Sequence, residues 1–219
     1  MTAEAFLAWV RGPGMQIALG IFFLGITIRI VEMLLIGRKP DLAVARKSGT
    51  AAGWRTIFHR SLPTPGMLQR EPLVFLGGYI FHVGFFLVLL FSVPHIELFH
   101  GVWGFRWPGL PRWLIDISAI LSIGALVALL AHRLVDPVRR FLSRSGDYLS
   151  WAVTILPLVT GYFATHHMVL PYTQMLAVHI LSVELLLIVL PFTKLIHMFT
   201  LFLSRWYNGA MAGKRGVAS

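Results

Sequence analysis

The chain has 219 residues, 57% of them hydrophobic and 13% charged, with a mean hydropathy of +0.75, a balance that excludes an ordinary soluble domain and points to a polytopic membrane protein. The formal net charge is +10, but the basic residues stand between apolar runs, where they read as topology signals rather than as a nucleic-acid surface. There is no cysteine, which excludes disulfides, thiolate-bound zinc and iron–sulfur clusters within the chain; a redox centre would have to use other ligands, such as the nine histidines.

The segment MTAEAFLAWVRGPG has neither a basic n-region nor a small-residue cleavage site, so the first helix reads as retained. The first apolar run is Met15 to Ile36 and carries Arg29 and Glu32, spaced to pair on one helix face. A polar connection follows with Arg38, Lys39, Arg46, Lys47, Arg55, Arg60 and Arg70; Trp54, Ile57 and Phe58 within it suggest a short amphipathic piece at the membrane surface. The second run, Leu73 to Ile96, holds His82 and His95 and is disturbed at Pro94. Val102 to Pro111, with Trp103 and Trp107, reads as an interfacial belt. The third run is Trp113 to Val135, the fourth Tyr148 to about Val169, and the fifth Thr173 to about Leu203.

Five runs predict an all-α membrane protein, a single domain of five spanning helices. Seven basic residues lie between runs one and two, and Arg133, Arg139, Arg140 and Arg144 between three and four. Arg205, Lys214 and Arg215 close the chain on the same side, while the opposite side has only Arg11, Arg106 and Arg112. By the positive-inside rule the amino terminus is outside and the carboxyl terminus cytoplasmic.

That topology sets the depth of the histidines. Eighteen residues separate His179 from His197, five turns of a straight helix, which would put both rings on one face about 27 Å apart, near the hydrocarbon thickness. His82 and His197 then share the inner level, and His179 shares the outer level with a second histidine. Two facing imidazoles at one depth form the axial ligand set of a six-coordinate haem. Gly77, Gly78 and Gly84 near His82 would give a porphyrin room; the alternative is helix packing through small residues, with the imidazoles hydrogen-bonded across helices.

The stretches YIFHVGFF around His82 and HILSVELLLIVLPFTKLIH from His179 to His197 resemble the gamma subunit of respiratory nitrate reductase and its relatives, five-helix membrane cytochromes b that carry electrons from quinol. The ending PFTKLIH is the most specific part, and echoes at FLGITIR, RLVDPVR and SGDYL extend the resemblance over Met15 to Tyr207. Similar modules occur in heterodisulfide-reductase-like and sulfite-reduction-associated membrane complexes. The resemblance implies two haem b groups, with His82 and His197 as ligands of the inner one and His179 as a ligand of the outer one. It places Lys194, and with it Arg29, at haem propionates; the alternative is a snorkelling cation at the interface. It further implies menaquinol or ubiquinol as substrate and a bacterial or archaeal cytoplasmic (inner) membrane. Because the chain has no cysteine, the next carrier is expected on a partner, an iron–sulfur subunit docked on the first cytoplasmic loop with its seven basic residues and on the tail.

Two features depart from that pattern. The family position for the second histidine of helix two is Ser92 here, and His95 follows three residues later, so His95 is the candidate outer ligand with His100, His166 and His167 as rivals; without a partner for His179 one haem remains. Glu184 is an acid within run five, costly unless protonated, paired or hydrated, and is the candidate proton acceptor from quinol, with a neutral interhelical hydrogen bond as the alternative. Asp116 reads as an interfacial ion pair with Arg112, and His59 and His132 as solvated or partner-bound. The sequence thus predicts a quinol-oxidising, dihaem cytochrome b subunit of a respiratory oxidoreductase. The competing readings are a redox-silent anchor or transporter subunit, and a cytochrome working in the quinone-reducing direction.

Overall fold

The computed structural model describes residues 2–35 and 44–217. The expected inner end of the first run at Ile36, with Arg38 and Lys39, lies outside the described residues. All regular structure among them is helical, and five helices are long and apolar enough to cross a membrane.

The first span starts earlier than Met15. Thr2 caps α1 (Ala3–Trp9) by accepting from the Ala5 amide at 3.2 Å. The helix continues through a π turn, Val10–Gly14, into α2 (Met15–Leu35). Pro13 lies inside that turn; its missing amide makes an unbroken α ladder impossible there, and the wider turn absorbs it. The first loop supplies α3 (Thr50–His59) and α4 (Pro65–Arg70).

The second run, expected unbroken to Ile96, is two helices: α5 (Pro72–Phe91) and α6 (Val93–Trp103), separated by Ser92 with φ −73° and ψ 130°. Pro94 cannot donate to the Leu90 carbonyl. That carbonyl instead accepts from Trp107 Nε1 at 2.6 Å, and the Phe91 carbonyl takes the Leu110 amide at 3.1 Å. The break is therefore filled by the tryptophan-rich connection, which turns at Gly104 with φ 77°.

Then come α7 (Arg112–Val135), α8 (Pro137–Leu142), α9 (Ser145–Thr165) and α10 (Tyr172–Val189). The fourth run stops at Thr165, short of Val169, because the backbone leaves the helical region at His167 (φ 54°) and Val169 (φ 69°). The fifth run is not the straight helix that its apolar length predicts. After α10 the chain forms a 3₁₀ turn at Leu190–Phe192, an extended residue at Thr193 (φ −124°, ψ −177°) and a second 3₁₀ turn at Lys194–Ile196. A separate α11 follows, His197–Lys214. Pro191 removes an amide from the ladder, and Thr193 then accepts from the Leu195 amide at 3.4 Å as a fresh cap. His179 and His197 consequently lie on different helices, and the straight-helix separation does not apply.

Neighbours pack in the order α5, α7, α9, α10, with α2 and α1 against α10. The core centres on Leu126, Ile155 and Leu158, with Phe81, Phe85 and Trp151 around them. Buried hydroxyls at Ser118, Ser122, Thr154 and Thr160 return their protons to carbonyls one turn back, as an apolar interior requires. No extended packed interface joins α5 to α10 among the described residues.

The amphipathic α3 packs along α11, where a side chain on Gly53 would strike Trp206 and one on Gly209 would strike Thr56. The Arg46 amide donates to the Lys214 carbonyl at 2.8 Å. Helices α3 and α11 are thus one packed unit.

Candidate functional site

Four histidines from three helices and one helix start form two pairs. His82 of α5 faces His197, the first residue of α11, with ring centres 6.1 Å apart and planes at 76°. His95, in the first turn of α6, faces His179 of α10 at 6.2 Å with planes at 25°. The Ser92–Pro94 break is what re-aims His95; on a straight continuation of α5 it would point elsewhere. Both pairs bridge α5–α6 and α10–α11, helices that share no extended interface among the described residues.

Each ring is oriented through Nδ1. His82 donates to the Gly78 carbonyl at 2.7 Å, His95 to the Val88 carbonyl at 3.0 Å, and His197 to the Lys194 carbonyl at 2.8 Å. A carbonyl can only accept, so in all three the proton is on Nδ1 and Nε2 carries the free lone pair. His179 Nδ1 lies 3.2 Å from Thr160 Oγ1, whose own proton goes to the Leu156 carbonyl at 2.7 Å, leaving that hydroxyl as acceptor. The remaining contacts seat the same residue: Ser182 Oγ, 3.0 Å from Thr160 Oγ1, donates to the His179 carbonyl at 2.6 Å, and the ring lies where a Cβ on Gly161 would be. This is the outer-shell pattern that prepares histidine for a metal, with one nitrogen tied down and the other available.

The separations fit a metal between the rings. A ring nitrogen lies about 1.1 Å from the ring centre and a metal–nitrogen bond is about 2 Å, so two coaxial imidazoles on one metal have centres about 6.2 Å apart. No group of three or more His, Asp or Glu converges among the described residues. Each pair therefore offers two nitrogen donors and no third ligand from the chain among the described residues.

Other predicted residues fall differently. Gly84 and Gly77 do not clear space for a porphyrin: a Cβ on Gly84 would meet Ser118 and Ser122, and one on Gly77 would meet Leu129, so both serve the α5–α7 contact. Gly78 alone of the three faces open space. Lys194 pairs with Asp147 Oδ1 at 2.5 Å, and Arg29 with Glu32 at 2.8 Å and with the Pro191 carbonyl at 3.2 Å. His166 pairs with Asp116 at 3.0 Å, beside Arg112 at 3.8 Å, and His167 lies against Tyr172 with the ring planes tilted by 39°. His132 lies 3.7 Å from Glu71.

Glu184 is 3% exposed, and its Oε1 has no hydrogen-bond partner. A Cβ on Gly14 would sit 2.8 Å from that oxygen, so the carboxyl lies against the π turn of the first helix, beside Trp9. His179, five residues earlier, rests on α9; at 100° per residue the two side chains leave α10 about 140° apart. Gly161, Thr160 and Ser182 escaped sequence reasoning, since two are on another helix and none has a motif.

The chain is 32% identical over 223 aligned positions to a protein of Nitratidesulfovibrio vulgaris, covering 97% of this chain and 96% of the relative. It belongs to that protein's family. The relative's printed name is only "Protein", which states neither a ligand nor an activity. No family model matches the chain, and no solved structure matches it significantly.

Proposed function

We propose that this chain is the haem b subunit of a respiratory oxidoreductase, oxidising menaquinol or ubiquinol near the outer face and delivering electrons to an iron–sulfur partner on the cytoplasmic side. The observation that carries the reading is the double pairing of imidazoles between α5–α6 and α10–α11, each ring oriented through Nδ1. His82 and His197 would hold the inner haem, His95 and His179 the outer one. Bound haem supplies one-electron exchange at its iron.

The chain's own residues supply the rest. Backbone carbonyls at Gly78, Val88 and Lys194 and the Thr160 hydroxyl fix ring orientation and raise the basicity of the ligating nitrogen. The amino terminus is taken as outside and the carboxyl terminus as cytoplasmic, on the distribution of arginine and lysine. Glu184 is assigned to proton transfer away from the outer pair, along the first helix that its carboxyl faces: an acid with an unpartnered oxygen inside a membrane span is costly to keep for packing alone.

Partner docking is assigned to the α3–α11 unit. Between 44 and 70 and between 197 and 217 there is no Asp or Glu, while Arg46, Lys47, Arg55, Arg60, Arg70, Arg205, Lys214 and Arg215 are all basic. Because α11 begins at His197, the docking unit leads directly to the inner pair. Charge reversal at Arg46, Lys47, Arg55 and Arg60 releases the partner if this is right; its retention would remove the assignment.

The test of the whole reading is haem content, by pyridine haemochromogen and reduced-minus-oxidised spectrum, of the purified chain and of His95→Ala. Two b haems falling to one are expected. Two haems surviving in the variant would take the outer ligand away from His95.

A further inference from the structure

The fifth span breaks immediately before His197, and the groups that hold the break come from two other spans. In a continuing helix the Pro191 carbonyl would accept from the Leu195 amide. Here that amide goes to Thr193 Oγ1 at 3.4 Å, and the Pro191 carbonyl accepts from Arg29 Nε at 3.2 Å. Arg29 is itself fixed, its Nη1 donating to Glu32 Oε2 at 2.8 Å. One turn earlier on α2, a Cβ on Gly25 would lie 2.6 Å from Pro191 Cβ, so the backbone of the first span rests against the break.

From the other side, Asp147 near the start of α9, with a side chain only 6% exposed, holds Lys194 Nζ at 2.5 Å. Its second oxygen takes the Arg144 amide at 2.9 Å. The Lys194 carbonyl is the acceptor that orients His197 at 2.8 Å. A cleft beside the break is lined by Arg29, Glu32, Thr193 and Thr200. Each of these side chains has a partner within the chain: Thr193 bonds the Leu190 carbonyl at 3.5 Å, Thr200 the Ile196 carbonyl at 3.3 Å, and Arg29 and Glu32 each other. The arrangement works as a clamp and not as a ligand pocket.

We propose that Arg29 is a positioning residue which, together with the Asp147–Lys194 pair, clamps the break in the fifth span and so aims His197 at His82. The spectroscopic half of its test rests on the haem reading; the other half does not. Hydrogen–deuterium exchange of the amides of Thr193, Ile196 and His197 is followed in the full chain in lipid nanodiscs, alongside low-temperature EPR of the oxidised chain. Arg29→Gln should speed exchange at those amides about tenfold or more, through loss of a hydrogen bond from a charged donor. It should also shift the low-spin signal of the inner haem and leave the outer one in place. Arg29→Lys, which keeps the charge but not the planar fork, should fall between.

Unchanged exchange in Arg29→Gln overturns the clamp, and faster exchange with an unshifted inner signal overturns the aiming of His197. If Arg29→Gln does not accumulate, Glu32→Gln decides: the same changes in smaller measure support the proposal, and no change in either readout overturns it. A wild type without haem would sink the haem reading, while amide exchange would still decide the clamp.

Discussion

Replacing Gly161 by alanine tests the outer pair through a single methyl group. The added Cβ would stand 2.9 Å from His179 Cε1, 3.2 Å from Nδ1 and 3.5 Å from Nε2. Ordinary carbon contacts are about 3.5–4.0 Å, so the ring must retreat by about 0.5–1 Å. Its bond to Thr160, 3.2 Å long, would be stretched or lost. Overpacking of this kind costs about 1–3 kcal/mol. Alanine in a helix interior otherwise gains up to about 1 kcal/mol over glycine, so the two effects have opposite signs. The variant should be less stable to heat than the wild type and should hold the outer haem about tenfold to a hundredfold more weakly. Thermal unfolding in detergent and haem per chain after purification measure both. A variant with a raised midpoint and two haems per chain would refute the seating of His179 on Gly161.

Three further outcomes are expected. Glu184→Gln should slow quinol oxidation about a hundredfold without loss of folded protein, because the Oε1 it replaces makes no hydrogen bond; unchanged turnover and unchanged pH dependence would remove Glu184 from the reaction. Gly209→Val should prise α11 from α3, since even a methyl group there would meet Thr56; limited proteolysis of the tail should accelerate, and an unaltered cleavage rate would contradict the packing. Asp136 caps α8 by accepting from the Arg139 amide at 2.9 Å, and that hydrogen bond holds its carboxyl below the usual range. A folded-state pKa lowered in this way gives stability that is present above the unfolded pKa and lost as pH falls through the folded one. The stability that wild type holds over Asp136→Asn should therefore be constant at neutral pH and shrink on acidification; a difference that does not change with pH would refute the role of the carboxylate charge.

The spans could be read from the sequence because hydropathy depends on composition over twenty residues and tolerates local error. Positions along each helix were less legible. Pro94 marked a break in the second span, and the structure has one there, but Pro191 sits in an apolar stretch whose length alone suggested a continuous helix. Counting five turns from His179 to His197 ignored the amide that Pro191 lacks. The grouping of His82 with His197 could be anticipated, since depth follows from topology. The acceptors on Nδ1 could not, because three of the four are backbone carbonyls and carry no sequence signal. Gly161 and Thr160 became meaningful only once α9 was seen beside α10. The joining of α3 to α11 was likewise hidden, since it depends on glycines 49–53 and 209–213 meeting across the whole length of the chain. Glycines near His82 were assigned to a cofactor on proximity along the sequence, whereas helix geometry turns Gly77 and Gly84 towards α7.

The central claim is that the two imidazole pairs hold haem. The most direct measurement is the pyridine haemochromogen of the purified wild-type chain, normalised to protein by amino-acid analysis. Two b-type haems per chain are predicted, with bis-histidine low-spin bands in the reduced-minus-oxidised spectrum. A chain purified from haem-replete cells, folded and free of haem, would contradict the account and leave a helical membrane anchor whose histidines only join its helices.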